Sequence, residues 1–210
     1  MNQIALNNVS IKIDNSLIVD DVSFALQQGQ IGCLLGPSGF GKTTLLRAVA
    51  GFLPVCSGSI TMRGETVDDG THIVAAENRR IGMMFQDLAL FPHLSVADNI
   101  AFGIRKLGKA AIAARVDELL SIVNLQSLKK SYPHELSGGQ QQRVALMRAM
   151  APRPDLILLD EPFSSQDTDL RVQLVQEVRD ILKEDNVTAI LVTHDPVSYT
   201  HLTLPTICSV

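Results

Sequence analysis

The sequence predicts an α/β fold with a mainly parallel sheet and a helical lobe inserted into it. Three observations predict it. Ile31 to Leu35, Leu156 to Leu159 and Val187 to Val192 are short apolar runs bounded by polar or turn residues, the form of buried strands. A glycine-rich turn follows the first run and opens a segment with helical apolar spacing. The stretch from about 88 to 152 carries only helical periodicity, whereas strands and helices alternate on either side of it.

Taken in order, residues 3 to 35 alternate as strands do, through Ile4, Leu6, Val9, Ile11 and Ile13 and then Val22, Phe24 and Leu26, before the run at Ile31. Leu45, Leu46, Val49 and Ala50 place a helix over Lys42 to Ala50, which Gly51 closes. Gly58 to Met62 and Arg80 to Phe85 read as further strands. Helices are expected over 96 to 106, 110 to 123, 138 to 150 and 168 to 184. No internal repeat or long linker interrupts this order.

Bulk composition limits the function. With 210 residues, 46% of them hydrophobic, the chain can bury a substantial core. A net charge of -4 provides no global field for nucleic acid, so no nucleic-acid partner is expected. Cys33, Cys56 and Cys208 are too few and too scattered for a disulfide framework or a paired zinc site, which favours a reducing, cytosolic compartment. The first residues have no secretory pattern, and no apolar run approaches the roughly 18 residues of a membrane span. A role at a membrane therefore requires another protein to cross it.

The turn after Leu35 is Gly36-Pro37-Ser38-Gly39-Phe40-Gly41-Lys42-Thr43, which fits G-x-x-x-x-G-K-[ST] between a strand and a helix. Backbone N–H groups there point at phosphate oxygens and the helix dipole adds positive charge; Gly39 and Gly41 allow close approach. Lys42 reaches the β- and γ-phosphates of a nucleotide, Thr43 is placed for Mg²⁺ and Thr44 for the α-phosphate. A second half-site ends the strand at Leu156: Asp160 can hold Mg²⁺ through water, and Glu161 can orient and deprotonate an attacking water. Standing alone, these two acids would read as the solvated start of a turn before Pro162.

Kinases and GTPases share those features. Leu136-Ser137-Gly138-Gly139-Gln140 separates this chain from them, with Ser137 as N-cap, Gln140 as the capping-box partner, and Gly138 and Gly139 leaving N–H groups uncovered for an anion. With Gln141 to Leu146 continuing the pattern, the chain resembles the ABC transporter ATPases from about residue 3 to Asp195. That resemblance implies a P-loop NTPase core with an N-terminal antiparallel β-subdomain and an inserted helical signature subdomain. It implies ATP and Mg²⁺, and a homodimer or paired ABC subunit in which the signature of one copy closes over ATP held by the other. Gln86 then matches the Q-loop glutamine at Mg²⁺ and the attacking water, His194 the switch histidine at the γ-phosphate, and Asp167 the acidic residue of the D-loop. Expected partners are integral-membrane permease subunits and, indirectly, an extracytoplasmic solute-binding protein, with this subunit peripheral on the cytoplasmic face of the inner membrane.

Phe85 to Val96 resembles the importer branch for ferric iron, polyamines, sulfate or sugars; Gly41 to Pro54 with Arg79 to Met83 looks closest to the ferric-iron ATPases. Leu88, Leu90, Phe91 and Leu94 are either a permease contact or core. A soluble ABC ATPase acting on nucleic acid or ribosomes is the alternative function. The chain departs from the family at three places: no aromatic residue precedes Phe24, so Ile13 stands where a ring usually stacks on adenine; Phe40 is bulky; and Gln166 replaces a leucine. The ATPase domain is expected over 1 to 195, with the insertion at about 88 to 152. Residues 196 to 210 contain no Asp, Glu, Lys or Arg and do not resemble the family. They read as a truncated or misassembled stretch of the gene, or else as a genuine short variant.

Overall fold

The structure is a computed structural model that describes residues 1–37, 39–163, 168–193 and 206–209. Two sheets share the work. The first is antiparallel, with strands β1 (Asn2–Ile13), β2 (Ser16–Gln27), β4 (Ser57–Met62) and β5 (Glu65–Asp68) in the order β2-β1-β4-β5. The second is parallel, with β3 (Ile31–Leu35), β6 (Ile81–Met84), β7 (Leu156–Asp160), β8 (Thr188–Thr193) and β9 (Thr206–Ser209) in the order β6-β7-β8-β3-β9. This is the α/β class expected from the sequence.

The apolar runs lack alternation because both faces of the parallel sheet are covered. Leu34, Leu156, Leu158, Ile190 and Val192 face a core shared with the antiparallel sheet and helix α1 (Lys42–Ala50). Their neighbours Cys33, Ile157, Leu159, Ala189 and Leu191 face the opposite core, with α2 (Val96–Ala101), α3 (Lys109–Ile122), α4 (Gly138–Met150) and α5 (Thr168–Glu184). Burial pushes the Cys33 thiol up to about 11, leaving it a small inert hydrophobe.

Between β6 and β7 every described element is helical. The helix expected over 96 to 106 is shorter: Ser95 caps α2 by accepting the Asp98 N–H at 3.1 Å, and the chain tightens into a 3-10 turn over Phe102–Ile104. Gly103 lies in that turn, where an added Cβ would stand 2.9 Å from the Pro152 ring. The strand β5 was not anticipated, since only Val67 in Glu65–Asp68 is apolar. Within the unfamiliar tail, residues 206–209 lie parallel beside β3.

Arg79 ties β5 to the C-terminus of α1. Its fully buried side chain pairs with Asp68 at 3.4 Å and donates to the carbonyls of Ala48 (2.8 Å) and Val49 (3.0 Å) at the C-terminus of α1. It donates further to Val74 and Val67 carbonyls. A buried guanidinium is tolerated because its donors are met.

Candidate functional site

Register builds the site. Met84 pairs with Leu159, Asp160 with Val192 and Leu35 with Thr193, so β6, β7, β8 and β3 end level. Parallel strands release their following loops on one edge, the usual place for a ligand crevice. Gln86 follows β6, Glu161 follows β7, and Gly36 to Thr43 follow β3 on that edge.

Gly41 is the N-cap of α1 at φ +79°, and a Cβ there would sit 2.7 Å from the Ile18 carbonyl oxygen and 2.9 Å from the Val19 side chain. Only glycine lets the loop pass beneath β2. Gly39 also has positive φ, +89°, but a Cβ would meet nothing within 4 Å, so its space is open. Lys42 is buried and its Nζ donates to the carbonyls of Gly36 (2.8 Å) and Pro37 (2.6 Å), folding the loop around the ammonium. Thr43 and Thr44 are half-buried in the first helical turn, and Gly36 is half-buried at its entry. Ser38 lies outside the described residues.

Thr43 and Asp160 meet directly: the hydroxyl donates to Asp160 Oδ1 at 2.9 Å. Asp160 is 4% exposed. Burial holds its carboxyl above the usual range and the charge of Glu161 adds to that, while the Thr43 hydrogen bond, Arg47 and Lys42 act in the other direction. Glu161 begins the turn after β7 at φ +46°, with its N–H donating to the Val192 carbonyl at 3.0 Å. A hydroxyl and a carboxylate 2.9 Å apart form an all-oxygen donor pair, which fits Mg²⁺. Among the described residues no cluster of three or more His, Cys, Asp or Glu could hold a metal by itself.

Gln86 is exposed in a turn that the Leu88 N–H closes on the Phe85 carbonyl at 2.9 Å. Ser137 and Gln140 form the expected capping box: the Ser137 hydroxyl accepts the Gln140 N–H at 3.3 Å, and Gln140 Oε1 accepts the Ser137 N–H at 2.9 Å. Ser137 and Gly138 are exposed, Gly139 and Gln140 half-buried, and their helix lies on the opposite face of the parallel sheet from α1. Asp167, Gln166 and His194 lie outside the described residues. Ile13 is exposed beside the β1–β2 turn, and Phe40 is 52% exposed. Leu88 and Leu90 pack partly against the core. Phe91 is half-buried, its ring 4.3 Å from that of Phe102.

Sequence reasoning missed Gln142, buried on α4, whose Nε2 donates to the Pro162 carbonyl at 2.7 Å and ties the signature helix to the turn that carries Glu161. It also missed Arg148, whose guanidinium reaches the loop after Gln86. The only signal was position: both are polar residues on a helix otherwise buried at Val144 to Met147 and Met150.

The profile of the ABC transporter family matches residues 19–164. The Fe(3+) ions import ATP-binding protein FbpC 2 of Pectobacterium atrosepticum is 52% identical over 191 residues, covering 90% of this chain and 55% of the relative. The putrescine transport ATP-binding protein PotG of Escherichia coli is 48% identical over 192 residues, covering 90% of this chain and 50% of PotG. The spermidine/putrescine import ATP-binding protein PotA of Pseudomonas fluorescens is 49% identical over 179 residues, covering 84% and 48%. The chain spans about half the length of these relatives.

Proposed function

This chain belongs to the ABC transporter family, and from that premise we propose that it binds and hydrolyses ATP to drive a membrane importer, with ferric iron as the solute. The observation that carries the reading is the level edge of β6, β7, β8 and β3. The phosphate loop, Asp160 with Glu161, and Gln86 all follow strands that end on that edge, and Thr43 is 2.9 Å from Asp160.

In the proposed reaction Lys42 exchanges its Gly36 and Pro37 carbonyls for phosphate oxygens, while N–H groups of Gly39 to Thr44 take the rest of the triphosphate. Thr43, Asp160 and Gln86 would hold Mg²⁺, which when bound would supply charge neutralisation on the phosphates. Glu161 accepts the proton of the attacking water as ADP leaves. Ser137 to Gln140 of a second copy close the γ-phosphate end, and His194 and Asp167 complete the site. Phe85 to Val96, with the exposed rings of Phe52 beside Phe85 and Phe102 beside Phe91, is the proposed seat for a permease on the cytoplasmic face of the inner membrane. No helix among the described residues is long and apolar enough to cross a membrane.

The ferric-iron assignment rests on the relative at 52% identity; the PotG and PotA relatives make polyamines the second reading. Lys42→Ala tests both levels. It is expected to reduce ATP binding by the purified protein at least about tenfold, the loss of one charge-assisted contact. In cells it is expected to abolish uptake of radiolabelled ferric iron and leave putrescine uptake intact. Unchanged ATP affinity contradicts the site; loss of putrescine uptake instead moves the solute to the polyamines.

A further inference from the structure

The loop after β6 has an unusual backbone. Leu88 and Ala89 stand at φ +58° and +44°, two successive non-glycine residues in the left-handed region. Such a pair is strained and persists only where its surroundings impose it. The imposing group is a guanidinium. Arg148 of α4 donates one guanidinium nitrogen to the Leu88 carbonyl at 2.8 Å and another to the Ala89 carbonyl. The same guanidinium lies over the Phe91 ring, 5.5 Å from its centroid. Phe91 in turn packs at a tilt against Phe102, which carries Arg105 at 4.4 Å on its ring.

A second anchor holds the far end of the loop. Asn99 is fully buried, accepts the Phe91 N–H at 2.9 Å, and donates to the carbonyls of Phe91, Leu94 and Ser95. The segment from 88 to 95 is therefore fixed from two helices. Only the Phe85–Leu88 turn, with Gln86 inside it, lies between the Arg148 clamp and β6. Asp87, in the same turn, attracts the Arg148 charge.

We propose that Arg148 is a positioning residue for Gln86: by bridging the Leu88 and Ala89 carbonyls it fixes the turn that places Gln86 at the reaction edge. Arg148 stands on the helix that Ser137 to Gln140 open, so the capping-box end and the Gln86 turn are joined through one rigid element. Lysine cannot replace it. Two diverging carbonyls need the two separated donors of a planar guanidinium, and an ammonium presents its donors from one point. The proposal rests on the ATPase reading above for its kinetic consequence, and on geometry alone for the clamp.

The test compares Arg148→Lys in the parent and in the Gln86→Ala background, with phosphate release, ATP binding and thermal unfolding measured on each protein. In the parent background the lysine variant is expected to lose about ten- to a hundredfold in kcat, the usual cost of slight misplacement. Its ATP affinity stays within about twofold, since no phosphate contact is removed. In the Gln86→Ala background the same substitution changes kcat by less than about twofold, because the residue it positions is gone. Amide hydrogen exchange is expected to speed up over residues 86–91 and to stay unchanged over 137–141.

Equal losses in both backgrounds, or unchanged exchange over 86–91, overturn the proposal. So does a lysine variant that unfolds or loses ATP affinity in step with kcat, which would make Arg148 part of the scaffold. A parent protein without ATP hydrolysis defeats the ATPase reading instead, and the exchange measurement still decides whether Arg148 holds the turn.

Discussion

Asp160 shows how a single side chain reveals what a site costs. Its carboxyl is buried, its folded-state affinity for the proton is raised chiefly by desolvation, and Glu161 adds like charge. A raised carboxyl binds protons more tightly in the folded chain than in the unfolded one. Stability therefore falls as pH rises from the ordinary carboxylate range through the raised folded value, and the loss is complete only above that value. Asp160→Asn keeps an acceptor for the Thr43 hydroxyl and removes the charge. It is expected to raise the melting temperature of the nucleotide-free protein at neutral pH, by about 2–4 °C for each kcal/mol recovered. Mg²⁺-dependent hydrolysis is expected to fall in the same variant, a trade of activity for stability. Calorimetry beside a phosphate-release assay checks both; a lower melting temperature would mean that the buried charge is compensated. Asp160 and its proposed role were legible in the sequence because an apolar strand ends on it. The internal partners of Arg79 and Arg148 were not. An isolated arginine reads as solvent-facing, and the carbonyls that these two bond come from residues 31 or about 60 positions away.

At the scale of elements, legibility follows how local the cause is. The segment from β3 through the loop into α1 was readable because strand, turn and helix each leave their own pattern in adjacent residues. The capping box of α4 was readable for the same reason. The early end of α2 was not: the chain tightens there into the Phe102–Ile104 turn, and the close approach of Gly103 to Pro152 in that turn joins residues far apart in sequence. Strand β5 exists because β4 supplies a partner, not because its own residues favour it. The two loop glycines offer an element-scale prediction. Gly39→Ala incurs only the strain of a left-handed alanine, roughly 1–2 kcal/mol. Gly41→Ala adds a clash at 2.7 Å with the Ile18 backbone, so it must displace the loop from β2. Urea unfolding is expected to show the larger midpoint loss for Gly41→Ala, with nucleotide binding abolished there. Equal losses would mean that β2 and the loop separate freely.

The whole molecule is two cores sharing one parallel sheet, with α1 on one face and the helix opened by Ser137 on the other. That arrangement exposes Ser137 and Gly138 to solvent, where a second copy can meet them. The proposed dimer comes from the resemblance, and the exposure of Ser137 and Gly138 is compatible with it. Glu161→Gln tests the account most directly, because it removes the proposed base and leaves every proposed ATP and Mg²⁺ contact in place. Light scattering coupled to size-exclusion chromatography, run with MgATP and without nucleotide, is expected to show this variant as a dimer only with MgATP, with steady-state hydrolysis lost. A Glu161→Gln protein that hydrolyses ATP at the parent rate and shows no MgATP-dependent dimer would contradict the central claim.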